Sequence, residues 1–150
     1  MDIKTLLKSL LDHNVKFLIV GAWALPAYGY ERMTRDVDIF IEATRENAKK
    51  CIEALQSIGY HAILDLSVEE LLKSKVLLRE YILRVDIHPF IMGVDFYEVW
   101  KNKMETEVKG FKVYVPSLDD LIKMKEITGR DKDKQDLKIL KKIKDKAGNN

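Results

Sequence analysis

The chain has little with which to make covalent or metal cross-links. One cysteine, Cys51, occurs in 150 residues, so no intramolecular disulfide can form. A single free thiol suits a reducing cytoplasm, the expected location. His13 and His61 have no zinc-ligand spacing, and Cys51 supplies none. No internal repeat or low-complexity linker interrupts the sequence. No apolar run approaches the roughly 20 residues that span a bilayer, and "MDIKTLLKSLLDHN" has no signal-peptide core, so no membrane association is expected. Neither sign of charge dominates: 26 basic and 24 acidic residues give a formal net charge of +2, too small for bulk attraction to nucleic acid. What remains is 47% apolar and 33% charged, enough for one domain with one core.

Hydrophobic spacing divides the chain into alternating elements. Ile3, Leu6, Leu7, Leu10 and Leu11 share a helical stripe, with Asp2 as cap and Asn14 as left-handed stop. "VKFLIV" reads as a buried strand ending at Gly21. "AWALPAYG" reads as a helix that Pro26 forces to start late or to kink. "RDVDIFIE" is a strand, and "TRENAKKCIEALQSIG" a helix with Cys51 inward and Gly59 as its stop. "YHAILDL" reads as a short strand, and "SVEELLKS" as a helix opened by a Ser67–Glu70 capping box. "VLLRE" and "YILRVDIHPF" are two strands, either a hairpin or one bent strand. "VDFYEVWKN" is a short helix, and "METEVKGFKVYVP" a hairpin turning at Lys109-Gly110. Two helices close the chain, one from Ser117 to Gly129 and one over "DKDKQDLKILKKIKDK", fraying into "AGNN". This order predicts an α/β (α+β) fold with a mixed central sheet flanked by helices. The expected domain is the whole chain, 1–150, with a core over 1–115 and C-terminal helices over 117–146.

Within the strand "RDVDIFIE", Asp36 and Asp38 are two residues apart and project from the same face, while Val37, Ile39 and Ile41 face the core. Two carboxylates about 4 Å apart repel by roughly 4 kcal/mol at an effective dielectric of 20. Such an arrangement calls for a cation or a shared proton. Asp86 in "RVDIHPF" is a third carboxylate in an apolar strand, with Val85 and Ile87 opposed to it. If the two strands are neighbours, Asp36, Asp38 and Asp86 form a cluster able to hold magnesium, whose hard oxygen preference they meet. Two ions about 3.5–4 Å apart could activate an attacking oxygen and hold a phosphate. An isolated strand aspartate ordinarily faces solvent; the preceding segment sets these apart. Gly21 ends a strand and opens a helix, where a missing side chain admits a ligand and free N–H groups attract phosphate.

These residues carry a resemblance. "LIVGAWALPAYGYERMTRDVDIFI" resembles the signature of the DNA polymerase β-like nucleotidyltransferase superfamily: an apolar residue, Gly-Gly or Gly-Ser, a spacer, then Asp-x-Asp. Here it is Val20-Gly21-Ala22, thirteen intervening residues, and Asp36-Val37-Asp38. The finer pattern is similar to the small single-domain branch that includes AbiEii-type toxins. The resemblance implies a minimal nucleotidyltransferase fold, with Asp36 and Asp38 as metal ligands and Asp86 as the third carboxylate and base for an acceptor hydroxyl. It implies Gly21 and Ala22 as the phosphate loop, Lys125 as a triphosphate contact, and Arg32, Thr34 and Arg130 as support for loop or phosphates. The implied activity is Mg2+-dependent transfer of a nucleoside monophosphate from an NTP to a hydroxyl on tRNA, protein or a small molecule. A toxin with a partner antitoxin is one form of it. Ala22 replaces the second Gly or Ser of the signature, which removes a hydroxyl but keeps the backbone donors. It favours the alternative, an inactive nucleotide-binding or interaction module.

Other residues read two ways. Lys125 lies on a helix with Leu118, Leu121 and Ile122 inward, so solvent exposure is its default without the resemblance. His88 shares Asp86's face and sits either at the site rim or on the surface. "KILKKIKDK" is a solvated face or an RNA-backbone contact.

Overall fold

The structure is a computed structural model that describes residues 1–148, with backbone only at 132. Asn149 and Asn150, the end of the expected domain and of the expected fraying tail, lie outside the described residues.

Helix α1 (Ile3–Asp12) begins where Asp2 accepts a hydrogen bond from the Thr5 N–H at 2.8 Å, and buries Leu6, Leu7 and Leu10 completely. Asn14 turns the chain with φ +56° into β1 (Phe17–Val20), buried along its whole length. Gly21–Tyr28 is a 310 helix, and β2 (Asp36–Ile41) follows. Helix α2 (Arg45–Ser57) starts at a Thr44 cap and leads to α3 (Val68–Lys73), whose Ser67–Glu70 capping box is formed. Strands β3 (Val76–Leu78) and β4 (Arg84–His88) pair antiparallel, so the hairpin alternative is the one adopted. Helix α4 (Phe96–Lys101) precedes the hairpin of β5 (Met104–Val108) and β6 (Phe111–Val115). Its turn residues Lys109 and Gly110 have φ of +51° and +90°, the pair of positive values that a two-residue loop of matching twist requires. Helices α5 (Leu118–Thr128) and α6 (Asp131–Gly148) follow, with Ser117 capping α5 and Gly129 ending it at φ +61°.

The main sheet has the order β1-β2-β4-β3 and is mixed: β2 and β4 run parallel, and the outer pairs run antiparallel. One face carries Ile19, Val37, Ile39, Ile41, Val85 and Ile87, all fully buried against α1, α2 and their neighbours. Asn47 in the first turn of α2 locks the β1–β2 edge: its amide donates to the Lys16 and Glu42 carbonyls, both at 2.9 Å, and accepts from the Lys16 N–H at 2.7 Å. The other face divides. Leu18, Val20 and Phe40 pack under Phe96 and Val99 of α4, with Phe40 and Phe96 edge to face at 5.1 Å. Asp36, Asp38, Asp86 and His88 are only partly buried on this same face.

Two expectations are corrected. "YHAILDL" is not a strand; Ala62–Asp65 is a 310 turn. Its leading donors are satisfied by the Glu80 carboxylate, which accepts from the N–H groups of His61 (2.9 Å) and Ala62 (2.7 Å), so no ladder is needed. The segment after Gly21 neither starts late nor kinks. It is 310 throughout, tolerates Pro26 inside it, and closes on Gly29 at φ +84°.

Candidate active site

The parallel register of β2 and β4 sets Asp38 directly beside Asp86, and Phe40 beside His88. Asp38 is also opposite Val20 across the β1–β2 ladder, one residue before the chain turns at Gly21. Gly21 has φ +67°, and a β-carbon there would lie 2.5 Å from Asp38 Oδ2. The glycine's bare Cα thus makes room for the carboxylate. No side chain caps the 310 segment that starts at Gly21.

His88 Nε2 lies 2.8 Å from Asp38 Oδ1. The ligand atoms of Asp38, Asp86 and His88 fall within 4.8 Å of one another. Asp86 Oδ1 is buried and accepts no well-directed hydrogen bond, although the Arg79 guanidinium is 2.8 Å away. Asp36 projects from the same face but turns its carboxylate to Arg84, which donates to both oxygens at 2.6 and 3.1 Å. That pairing raises the Arg84 pKa above its ordinary value, through the hydrogen bond first and the charge second.

These groups open into a cavity of about 610 Å3. Gly21, Lys125 and Arg130 also line it, together with Lys75 and an apolar wall of Phe90, Ile91, Met92, Leu121 and Met124. Lys125 is buried, and its ammonium sits 3.1 Å from Asp133 and 3.2 Å from Asp136, two carboxylates with no appreciable exposure. Arg130 reaches the same Asp133 at 2.7 Å. Burial pushes the Asp133 pKa up, but hydrogen bonds from Arg130, Thr128 and Lys125 outweigh it and hold the carboxyl down at about 2.

Of the residues expected at the site, Gly21, Asp36, Asp38, Asp86, Lys125 and Arg130 come together around one cavity. Ala22, Arg32 and Thr34 are not among the described residues that line it. Thr34 accepts from the Asp36 N–H at 3.0 Å and so fixes the start of β2. Arg32 grips Asp136 through Nε and Nη2 at 3.1 and 2.9 Å, tying the segment before β2 to α6. Sequence reasoning missed Arg79, Arg84, Lys75, Asp133 and Asp136. Arg84 was findable, because it precedes Asp86 by two residues and shares its face. Arg79 belongs to "VLLRE", read as a strand, but lies just past the observed end of β3 at Leu78.

The donor set fits a divalent cation. Two carboxylates adjacent in register, an under-satisfied buried oxygen on one and a glycine cradle behind the other suit a hard ion such as Mg2+. An imidazole nitrogen beside them also suits Mn2+.

A mixed sheet with flanking helices, carrying aspartates on adjacent central strands behind a strand-ending glycine, is the polymerase β-like fold. The chain belongs to the family described as "Nucleotidyl transferase of unknown function (DUF2204)", whose model matches residues 1–149. No curated protein matches it. Among solved structures, it is similar to the lincosamide antibiotic adenylyltransferase LnuA in its lincomycin-bound form. The two are 23% identical, the match covers 95% of this chain and 98% of that one, and the TM-score is 0.62. TM1012 of Thermotoga maritima, assigned as a nucleotidyltransferase, is 19% identical over 91% of this chain and 88% of its own, with a TM-score of 0.57. The antibiotic-resistance factor ANT(2'')-Ia is 15% identical over 80% of this chain and 65% of its own, with a TM-score of 0.52. Among the described residues, no helix is long and apolar enough to cross a membrane.

Proposed function

We propose that the protein transfers a nucleoside monophosphate from an NTP to a hydroxyl group of a small molecule, with Mg2+. The acceptor oxygen bonds to the α-phosphorus, the bond from that phosphorus to the bridging oxygen breaks, and pyrophosphate leaves. Asp38 and Asp86, with Asp36 on the same face, would hold the divalent ions. Bound there, the metal supplies charge neutralisation at the phosphates. Asp86 takes the acceptor's proton. The amides after Gly21 face the phosphates, and Lys125 and Arg130 add positive charge at the cavity wall. Most of the rate gain comes from positioning and fixed charge.

The observation that carries this reading is the in-register Asp38–Asp86 pair, with Gly21 cleared for the Asp38 carboxylate. A small-molecule acceptor is favoured over RNA by the apolar wall beside the carboxylates and by the weak net charge. The lincomycin-bound state of LnuA supports the same choice. A toxin role with an antitoxin partner rests on the sequence resemblance alone.

The test incubates the protein with each α-labelled NTP, Mg2+ and a panel of hydroxyl acceptors: a lincosamide, an aminoglycoside and total RNA. Label on a small molecule is expected, and label on RNA alone would overturn the acceptor class. A second reading, a nucleotide-binding module without turnover, is favoured by Ala22 and by the arginines held against Asp86 and Asp36. No label on any acceptor, with calorimetric ATP binding intact, would establish it.

A further inference from the structure

In the cavity each acidic side chain of β2 and β4 is matched by a basic one. Arg84 holds Asp36, Arg79 holds Asp86, and His88 holds Asp38. The two arginine pairs differ from the lysine pair deeper in the wall. The side chains of Arg79 and Arg84 are 41% and 52% exposed, whereas Lys125 is locked between two buried carboxylates. Their carboxylate partners, Asp86 and Asp36, are more enclosed, but a guanidinium that already stands in water changes partner more readily than a cation enclosed on all sides. Breaking the buried lysine pairs is far costlier. Arg84 stands at the start of β4, two residues from Asp86, so its guanidinium stays at the cavity mouth whichever partner it holds.

Resting on the transferase reading, we propose that Arg79 and Arg84 are phosphate-binding residues, stored on Asp86 and Asp36 until those carboxylates take up a divalent ion. The ion and the guanidinium compete for the same oxygens. Metal entry therefore releases two planar forks beside the place where the triphosphate arrives, and such forks match phosphate oxygens in pairs. The exchange makes metal and nucleotide help each other: metal frees the arginines for phosphate, and phosphate keeps them off the carboxylates. Lys75, which lines the same cavity and makes no ion pair among the described residues, adds charge without entering the exchange.

The proposal predicts effects of opposite sign from one substitution. Arg84→Gln removes a competitor for Asp36, so Mn2+ alone, followed by electron paramagnetic resonance of the free ion, binds about two- to fivefold more tightly. The same variant loses a charged phosphate contact, so non-hydrolysable NTP analogues with Mg2+, measured by calorimetry, bind about ten- to a hundredfold more weakly. Arg79→Gln behaves alike through Asp86, and Arg84→Lys recovers part of the nucleotide affinity. Circular dichroism melts confirm folding, and should Arg84→Gln unfold, the Arg79 variant decides alone. Unchanged analogue affinity, or Mn2+ and analogue affinities falling together, would overturn the exchange while leaving the transferase reading intact. A wild-type protein that binds neither Mn2+ nor any of the four analogues overturns both.

Discussion

Replacing Gly21 by alanine separates backbone strain from damage to the site. The backbone at Gly21 has φ +67°, where a β-carbon costs roughly 1–2 kcal/mol. For a chain of 150 residues each kcal/mol lowers Tm by about 2–4 °C, so strain alone predicts a fall of about 2–8 °C. The new β-carbon would also stand 2.5 Å from Asp38 Oδ2, a distance real contacts do not tolerate. The carboxylate must rotate, which breaks its 2.8 Å contact with His88 and moves an oxygen away from Asp86. Disturbing a ligand's support in this way lowers metal affinity by about ten- to a hundredfold. Gly29 is the internal control. It has φ +84° but nothing within 4 Å of a built β-carbon, so Gly29→Ala carries the strain without the clash. The expected outcome is a similar fall in Tm for both variants, with Mn2+ binding and nucleotide transfer lost only in Gly21→Ala. If both variants bind Mn2+ equally well, the close approach of Gly21 to Asp38 has no bearing on the site.

Asp38→Asn should abolish transfer yet leave Tm near the wild-type value or above it, since one of two adjacent carboxylates loses its charge; a large drop in Tm would make Asp38 a structural residue. Asp133 is held at about 2 from an ordinary 3.8, so its charge contributes stability that is complete above pH 4 and is lost as pH falls toward 2. Melting curves across that window should therefore slope steeply for the wild type and more gently for Asp133→Asn, and parallel slopes would refute the assignment. Arg32→Met strips a two-pronged contact from Asp136, a residue 2% exposed, and should cost about 2–3 kcal/mol in urea unfolding, with Arg32→Lys restoring part. A loss under 0.5 kcal/mol would mean that Lys125 and the Tyr30 hydroxyl satisfy Asp136 without Arg32.

The parts of the fold readable in the chain were those governed by local rules. Asp2 and Ser67 each cap the helix they were expected to cap. Period-two alternation correctly put Val37, Ile39, Val85 and Ile87 on the buried face, and Asp36, Asp38 and Asp86 opposite them. What alternation cannot supply is register between strands more than 40 residues apart, because side-chain period fixes a face and not a neighbour. The pairing of Asp38 with Asp86 rested on an assumption that only the assembled sheet could test. "YHAILDL" failed for a related reason. Its apolar Tyr60 and Ile63 are buried, but a carboxylate from a distant loop, Glu80, replaced the partner strand.

Lys125 lines the cavity in surroundings that the sequence did not indicate. The resemblance put it at the phosphates, and helical periodicity alone left it exposed. It does line the cavity, yet it is buried and bonded to Asp133 and Asp136. Those carboxylates in turn hold Arg130 and Arg32, so one network fastens α5, α6 and the segment before β2 together. A lysine so placed contributes a fixed potential to the cavity and resists moving toward a ligand, because leaving would strand two buried charges. On the transferase reading, positive charge that follows a triphosphate must come from side chains whose heads stand in water and whose pairings a ligand can replace. Arg79 and Arg84 meet both conditions, and each stands against a carboxylate that a metal ion would claim.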